Sequence, residues 1–107
     1  MGNRQGKRMS DKYQLEWVTE AISDLDECKE FLKSKNPKAA KNAVKRIIEV
    51  TKLLLEQPYL GIPIDDMPEF QKINIPFGKY GYVLKYRVDG QKIVILRLRA
   101  GRQEKDF

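Results

Sequence analysis

Two runs of alternating residues joined by Asp89-Gly90 constrain this chain more than any other feature. Asp-Gly supplies the positive φ angles of a two-residue turn whose twist suits two antiparallel strands. Before it, Tyr80, Tyr82, Leu84, Tyr86 and Val88 share one parity, against Gly81, Val83, Lys85 and Arg87. After it, Lys92, Val94, Leu96 and Leu98 alternate with Ile93, Ile95, Arg97 and Arg99. Period-two alternation is the mark of a strand with one buried face, so residues 80–88 and 92–99 are predicted as a hairpin. Phe70–Ile75 alternates in the same way, and Pro76-Phe77-Gly78 supplies the turn that joins it to this hairpin. The C-terminal part is therefore predicted as a three-stranded antiparallel meander.

The N-terminal part reads differently. Tyr13-Gln14-Leu15-Glu16-Trp17 alternates as a short strand, whose pairing partner periodicity does not reveal. Ala21, Ile22, Leu25, Cys28, Phe31 and Leu32 recur at helical spacing, which predicts a helix over 20–35 with Thr19 as its cap. Asn36-Pro37 ends that helix and opens a second, over 37–57, because Asn caps and Pro fits the first helical position. So short a link makes the helices an antiparallel hairpin. Pro58, Gly61 and Pro63 stop the second helix, and 62–69 reads as an acidic loop. The predicted fold is α+β: an N-terminal strand, then a helical hairpin packed on the meander.

Charge and composition narrow the chemistry. The chain has 107 residues, enough for one domain, with 21 Lys and Arg against 15 Asp and Glu. Residues 70–107 carry 9 basic and 3 acidic side chains, whereas residues 13–69 carry 8 and 11. The first twelve residues are basic and almost without apolar side chains. They are expected to be a disordered leader, with 13–107 the single domain. Histidine is absent, which removes imidazole acid–base catalysis and histidine metal sites. The lone Cys28 lies on the apolar side of the first helix and reads as a buried thiol. Asp65, Asp66 and Glu69 have no metal-site spacing, so no metal and no cofactor are expected. No apolar run is long enough to span a membrane, and no signal-peptide core follows Met1, so a cytoplasmic protein is expected.

The sharpest candidate for function is Arg97-Leu98-Arg99-Ala100-Gly101-Arg102. On a strand Arg97 and Arg99 share a face, Gly101 permits a turn toward Arg102, and Lys85 and Arg87 share a parity on the neighbouring strand. Such a face would bind carboxylates or phosphates. The aromatic residues Tyr80, Tyr82 and Tyr86, with Tyr13 and Trp17, read mainly as core. Glu16 has no evident acid–base partner.

From Tyr13 to Arg102 the chain resembles the ParE/RelE superfamily of bacterial type II toxins. The matching motifs are Thr19-Glu20-Ala21-Ile22-Ser23-Asp24-Leu25, Asn36-Pro37-Lys38-Ala39-Ala40, Pro58-Tyr59-Leu60-Gly61-Ile62-Pro63, Tyr82-Val83-Leu84-Lys85-Tyr86-Arg87-Val88 and Ile93–Arg102. The resemblance implies a toxin silenced by a cognate antitoxin whose C-terminal segment wraps it. It also implies growth arrest and a part in plasmid stabilisation. RelE-like members cut mRNA on the ribosome; ParE-like members are associated with inhibition of DNA gyrase. RelE-like chains usually carry an arginine where Val83 stands and often a late tyrosine, where this chain has Phe107. The long second helix and the Leu-Arg-x-Arg-x-Gly-Arg ending look more like ParE, although Ala100 stands where ParE-like chains often have histidine. The expectation is a ParE-like gyrase inhibitor with no catalytic residues and a basic binding face of Lys85, Arg87, Arg97, Arg99 and Arg102. The alternative is a ribosome-dependent endoribonuclease using Lys79, Arg97, Arg99 and Arg102.

Overall fold

A computed structural model describes residues 12–102. The expectation of a disordered leader lies almost wholly outside those residues, as does Phe107. The order of elements is β1 (Gln14–Trp17), α1 (Thr19–Lys35), α2 (Pro37–Glu56), β2 (Ile62–Ile64), β3 (Met67–Ile75), β4 (Tyr82–Asp89) and β5 (Lys92–Ala100). The five strands form one mixed sheet in the order β1-β5-β4-β3-β2. The meander β3-β4-β5 is antiparallel, and β1 joins it parallel to β5, with Leu15 opposite Ile93 and Trp17 opposite Ile95.

The helical hairpin forms as its capping chemistry dictates. Asn36 is the entire link, and its Oδ1 accepts hydrogen bonds from the backbone N–H groups of Lys38 and Ala39 at 3.1 and 3.2 Å. Those groups open α2 and would otherwise lack partners. At the start of α1 the expectation of a Thr19 cap is corrected: Val18 is the cap residue, its side chain makes no capping bond, and Thr19 is already helical. The Val18 carbonyl accepts from Ala21 and Ile22 while its N–H bonds the Ile95 carbonyl at 3.1 Å, so β1 turns directly into the helix.

Segment 62–69 is not a loop. Ile62–Ile64 pairs antiparallel with β3, and β3 begins at Met67 rather than Phe70. Proline suggests irregular chain here, but Pro63 sits on an edge strand, where proline is tolerated. Strand β4 begins at Tyr82, because Gly81 adopts a positive φ of 65° that ends the turn before it. Tyr80 consequently lies outside the strand and is 57% exposed, whereas Tyr82 and Tyr86 are buried.

The core lies between the hairpin and one face of the sheet. Ala21, Ala43, Ile47 and Leu54 from the helices meet Ile75, Leu84, Tyr86, Ile93, Ile95 and Leu98 from the strands. A bulge in β5 makes this possible. Opposite Lys85 stands Arg97, but opposite Tyr86 stands Ile95, so Leu96 is an extra residue. Strict alternation would put Ile93 and Ile95 on the face of Arg97 and Arg99. The inserted residue reverses the parity, so Ile93, Ile95 and Leu98 all reach the helices. No helix among the described residues is long and apolar enough to cross a membrane.

Candidate functional site

Two neighbouring surfaces carry the candidate residues. The first is the sheet face turned away from the helices. The register sets Lys72 opposite Lys85 and Lys85 opposite Arg97, a cationic row across three strands. Arg87 lies between Phe70 and Val94 in the next row, and Arg99 lies opposite Val83. The Lys85 ammonium sits 5.3 Å from the centre of the Phe70 ring, within the range of a cation–π contact. Sequence spacing places Lys72 on a strand but does not single it out, because its position beside Lys85 depends on the long-range register between β3 and β4.

Arg97 has a partner that sequence spacing did not disclose. Its Nε donates to Asp24 Oδ2 at 2.8 Å and its Nη2 to Asp24 Oδ1 at 3.2 Å. The same Oδ2 accepts the backbone N–H of Leu98 at 2.9 Å. The reason is topological. β1 covers only residues 92–95 of β5, so beyond Trp17 the strand edge would leave the Leu98 N–H unpaired. Helix α1 takes over that edge, and Asp24, 7% exposed, supplies the acceptor. The carboxylate beside it raises the Arg97 pKa above its already high ordinary value. Arg97 is thus both a member of the cationic row and a tie between β5 and α1.

The second surface is an open groove of about 670 Å³ between the C-terminal half of α1 and the turn before β4. Cys28 and Leu32 line it from the helix, Phe77 and Tyr82 from the sheet side, and Arg102 and Ala100 from the end of β5. Phe31 and Tyr80 stand on its walls, 54% and 57% exposed. Each of these rings carries a cation: Lys35 Nζ is 5.1 Å from the Phe31 centroid, and Lys79 Nζ is 5.4 Å from that of Tyr80. Burial, then the charges of Asp24 and Glu27, push the Cys28 thiol up to about 11, so it is a neutral, apolar part of this surface at physiological pH.

The structure therefore divides the predicted basic residues. Lys85, Arg87, Arg97 and Arg99 belong to the sheet, while Lys79 and Arg102 belong to the groove. The role expected of Gly101 is corrected: it is not among the glycines with positive φ, and what it provides is space, since a Cβ would run into the Tyr80 carbonyl. Its N–H bonds the Gly81 carbonyl at 2.8 Å, which fixes the end of β5 against the turn. Glu16 is paired with Lys92 at 3.5 Å on the exposed surface. Asp65, Asp66 and Glu69 are exposed around the β2–β3 turn. No group of three or more metal-ligating side chains occurs among the described residues.

Comparison with known proteins places these features in a family. Residues 15–105 match the model of the ParE toxin of the type II toxin–antitoxin system parDE. Toxin RelE3 of Caulobacter vibrioides is 32% identical over 79 residues, which cover 74% of this chain and 84% of that protein. A solved chain of the chromosomal ParDE TA system from P. aeruginosa superposes with a TM-score of 0.68 at 25% identity, over 83% of this chain and 96% of its own. The YoeB/ParE toxin from Agrobacterium tumefaciens shares the fold, with a TM-score of 0.55 at 16% identity over 81% of this chain and 96% of its own. With the family model spanning both helices and the whole meander, this chain belongs to the ParE toxins of type II toxin–antitoxin systems.

Proposed function

We propose that this toxin acts by binding and inhibiting DNA gyrase, through the basic sheet face, and does not cut RNA. The observation that carries this reading is the commitment of Arg97 to Asp24. Cleavage of RNA calls for a group that takes the 2′-hydroxyl proton and another that protonates the leaving oxygen. Around Arg97 the sheet face offers Lys72, Lys85, Arg87, Arg99, Asn74 and Phe70, in a chain without histidine. Tyr82 and Tyr86 face the helices, and burial pushes both phenols above their ordinary range, which makes them poorer proton donors and bases at neutral pH. A cationic face of this kind is suited to holding an acidic surface.

A second reading, ribosome-dependent mRNA cleavage, draws on the kinship with a toxin named RelE3 and on one grouping: Lys79, Arg102 and the exposed Tyr80 line the same groove. One pair of assays separates the two. Purified toxin is expected to block supercoiling by gyrase and to leave reporter mRNA intact in a translating extract. Codon-positioned cuts that vanish in Arg102→Ala, with supercoiling unaffected, would reverse the assignment.

A further inference from the structure

We infer that the tip of the helical hairpin binds the phosphate backbone of duplex DNA. The inference goes beyond the choice between gyrase and mRNA as target. It is read on DNA alone, so it stands or falls separately from that choice.

Charge along the hairpin is sorted by end. Residues 33–46 span the end of α1, the Asn36 link and the first half of α2, and carry six basic side chains and no acidic one. Residues 19–30 carry five acidic side chains and one basic, and residues 47–56 carry two and one. Lys33, Lys35, Lys38, Lys41, Lys45 and Arg46 are all exposed, and no ion pair between described residues involves them.

The fold accounts for only some of these charges. Lys33 and Lys35 stand in the last turn of α1, where the helix dipole favours cations. Lys38 stands in the first turn of α2, where the dipole opposes it and no acidic residue offsets it. Lys41 and Lys45 are four residues apart, a spacing at which like charges destabilise a helix. The α2 lysines therefore weaken the element that carries them, a conflict with local rules that belongs at functional sites. The site consists of side chains and not of the helix terminus, whose Lys38 and Ala39 N–H groups already bond Asn36 Oδ1.

The chemistry of the tip selects the partner. Lys38, Lys41 and Lys45 share one face at i, i+3 and i+7 and span about 10 Å of helix. Duplex DNA presents a negative charge about every 1.7 Å of its axis, so the row meets several phosphates at once. None of the exposed large apolar side chains falls within residues 33–46, whereas a protein interface is built around an apolar, aromatic core. Nor does any aromatic residue occur there, and single-stranded nucleic acid is held by stacking on aromatics. Five of the six cations are lysines, point charges that hold phosphate without reading base edges, so the binding is independent of sequence.

The test measures binding of purified full-length toxin to a mixed-sequence duplex of about twenty base pairs, by fluorescence anisotropy over a range of salt. Lys38→Gln/Lys41→Gln is compared with Lys12→Gln/Lys92→Gln, which removes the same charge at the far end of the sheet. Lys92 opens β5 opposite Gln14, whereas Lys35 at the tip lies by Arg102, beyond the other end of β5. The tip variant is expected to bind about tenfold more weakly and to lower the slope of log affinity against log salt by about 2, because each phosphate contact contributes about 0.9. It should melt at the wild-type temperature or higher. The far-end variant should bind within twofold of wild type, and a duplex of scrambled sequence should bind equally well. Absence of DNA binding by the wild type at low salt would overturn the inference, as would wild-type affinity in the tip variant. Equal weakening by the two variants would assign the effect to net charge and overturn it too. A lower melting temperature for the tip variant would show that the lysines serve the fold, against the inference. Tighter binding to single-stranded RNA, or to polyglutamate of equal charge, would assign the tip to RNA or to an acidic protein and overturn the choice of DNA.

Discussion

Asp24 and Arg97, 73 residues apart in the chain, are joined by a two-point salt bridge that closes the edge of β5 against α1. The carboxylate also satisfies the Leu98 N–H, so one side chain completes the sheet where β1 ends. Breaking such a pair is costly because the partner that remains buried keeps its charge and loses its solvent.

Asp24→Ala is therefore expected to lower unfolding free energy by about 2–4 kcal/mol, through the loss of both the ion pair and the Leu98 acceptor. Arg97→Ala should cost a comparable amount, since it leaves the Asp24 carboxylate, 8% exposed, without its counter-charge. Urea titrations of the two variants check both losses. Equal and negligible losses would show that the tie contributes nothing net.

This bears on any test of the basic face. A loss of growth arrest in Arg97→Ala confounds folding with function. Lys85→Ala and Arg87→Ala lie in the same face without the tie to Asp24, and are expected to shift stability by no more than about 0.5 kcal/mol. If the face holds the target, each should weaken the contact with gyrase about ten- to a hundred-fold, the equivalent of about 1.5–3 kcal/mol for a charge-assisted hydrogen bond. Unchanged inhibition of supercoiling by the double variant would remove the sheet face from the mechanism.

Tyr86 and Gly61 form a second tie. The Tyr86 phenol donates to the Pro58 carbonyl and accepts the Gly61 N–H, both at 2.9 Å. A Cβ at Gly61 would lie 2.8 Å from that oxygen and 2.7 Å from the Lys72 carbonyl. Tyr86→Phe strands two polar groups and should cost about 1–3 kcal/mol. Gly61→Ala should cost a comparable amount through the clash, and the double variant less than the sum, because both changes break one contact. A double-mutant cycle by thermal or urea unfolding reads the coupling.

Cys28 provides the pH test. Its thiol is held up to about 11 against an ordinary 9.0, so its thiolate fraction at pH 8 is about a hundredfold below that of an exposed cysteine. Alkylation by iodoacetamide should be correspondingly slow and should rise with an inflection near 11. The linkage sign follows: the unfolded thiol ionises first, so this group leaves stability intact below about 9 and lowers it as pH rises toward 11. In Cys28→Ser that part of the alkaline decline should disappear. An inflection near 9 in the native protein would mean the thiol is solvated.

Removal of Leu96 tests the bulge. Without it, Arg97 follows Ile95 directly and plain alternation keeps Ile93, Ile95 and Leu98 on the helix side, so the deletion is expected to preserve the core and cooperative unfolding. Loss of the native near-ultraviolet spectrum in the deletion would show that the bulge itself is needed for the packing.

The local signals of this chain were legible without any structure, because each depends on neighbours in sequence. Asn36-Pro37 can only end one helix and start another, and the alternation of Tyr82, Leu84, Tyr86 and Val88 assigns them to one face of a strand. Asp89-Gly90 marks the hairpin correctly, but the two turn residues are Gly90 and Gln91: Asp89 is still paired with Lys92, and only Gly90 takes a positive φ, of 62°. The motifs around Thr19–Leu25 and Ile93–Arg102 also carried the family. The tertiary structure decided what depends on pairing at a distance. It set β1 parallel to β5, made an edge strand of the proline-bearing Ile62–Ile64, and placed Leu96 as the extra residue that turns Ile93, Ile95 and Leu98 to one side. Nor does periodicity reveal that Arg97 answers Asp24. That pairing exists because β1 is too short to cover all of β5, and a buried N–H at the open edge must find an acceptor from whichever element comes to lie beside it.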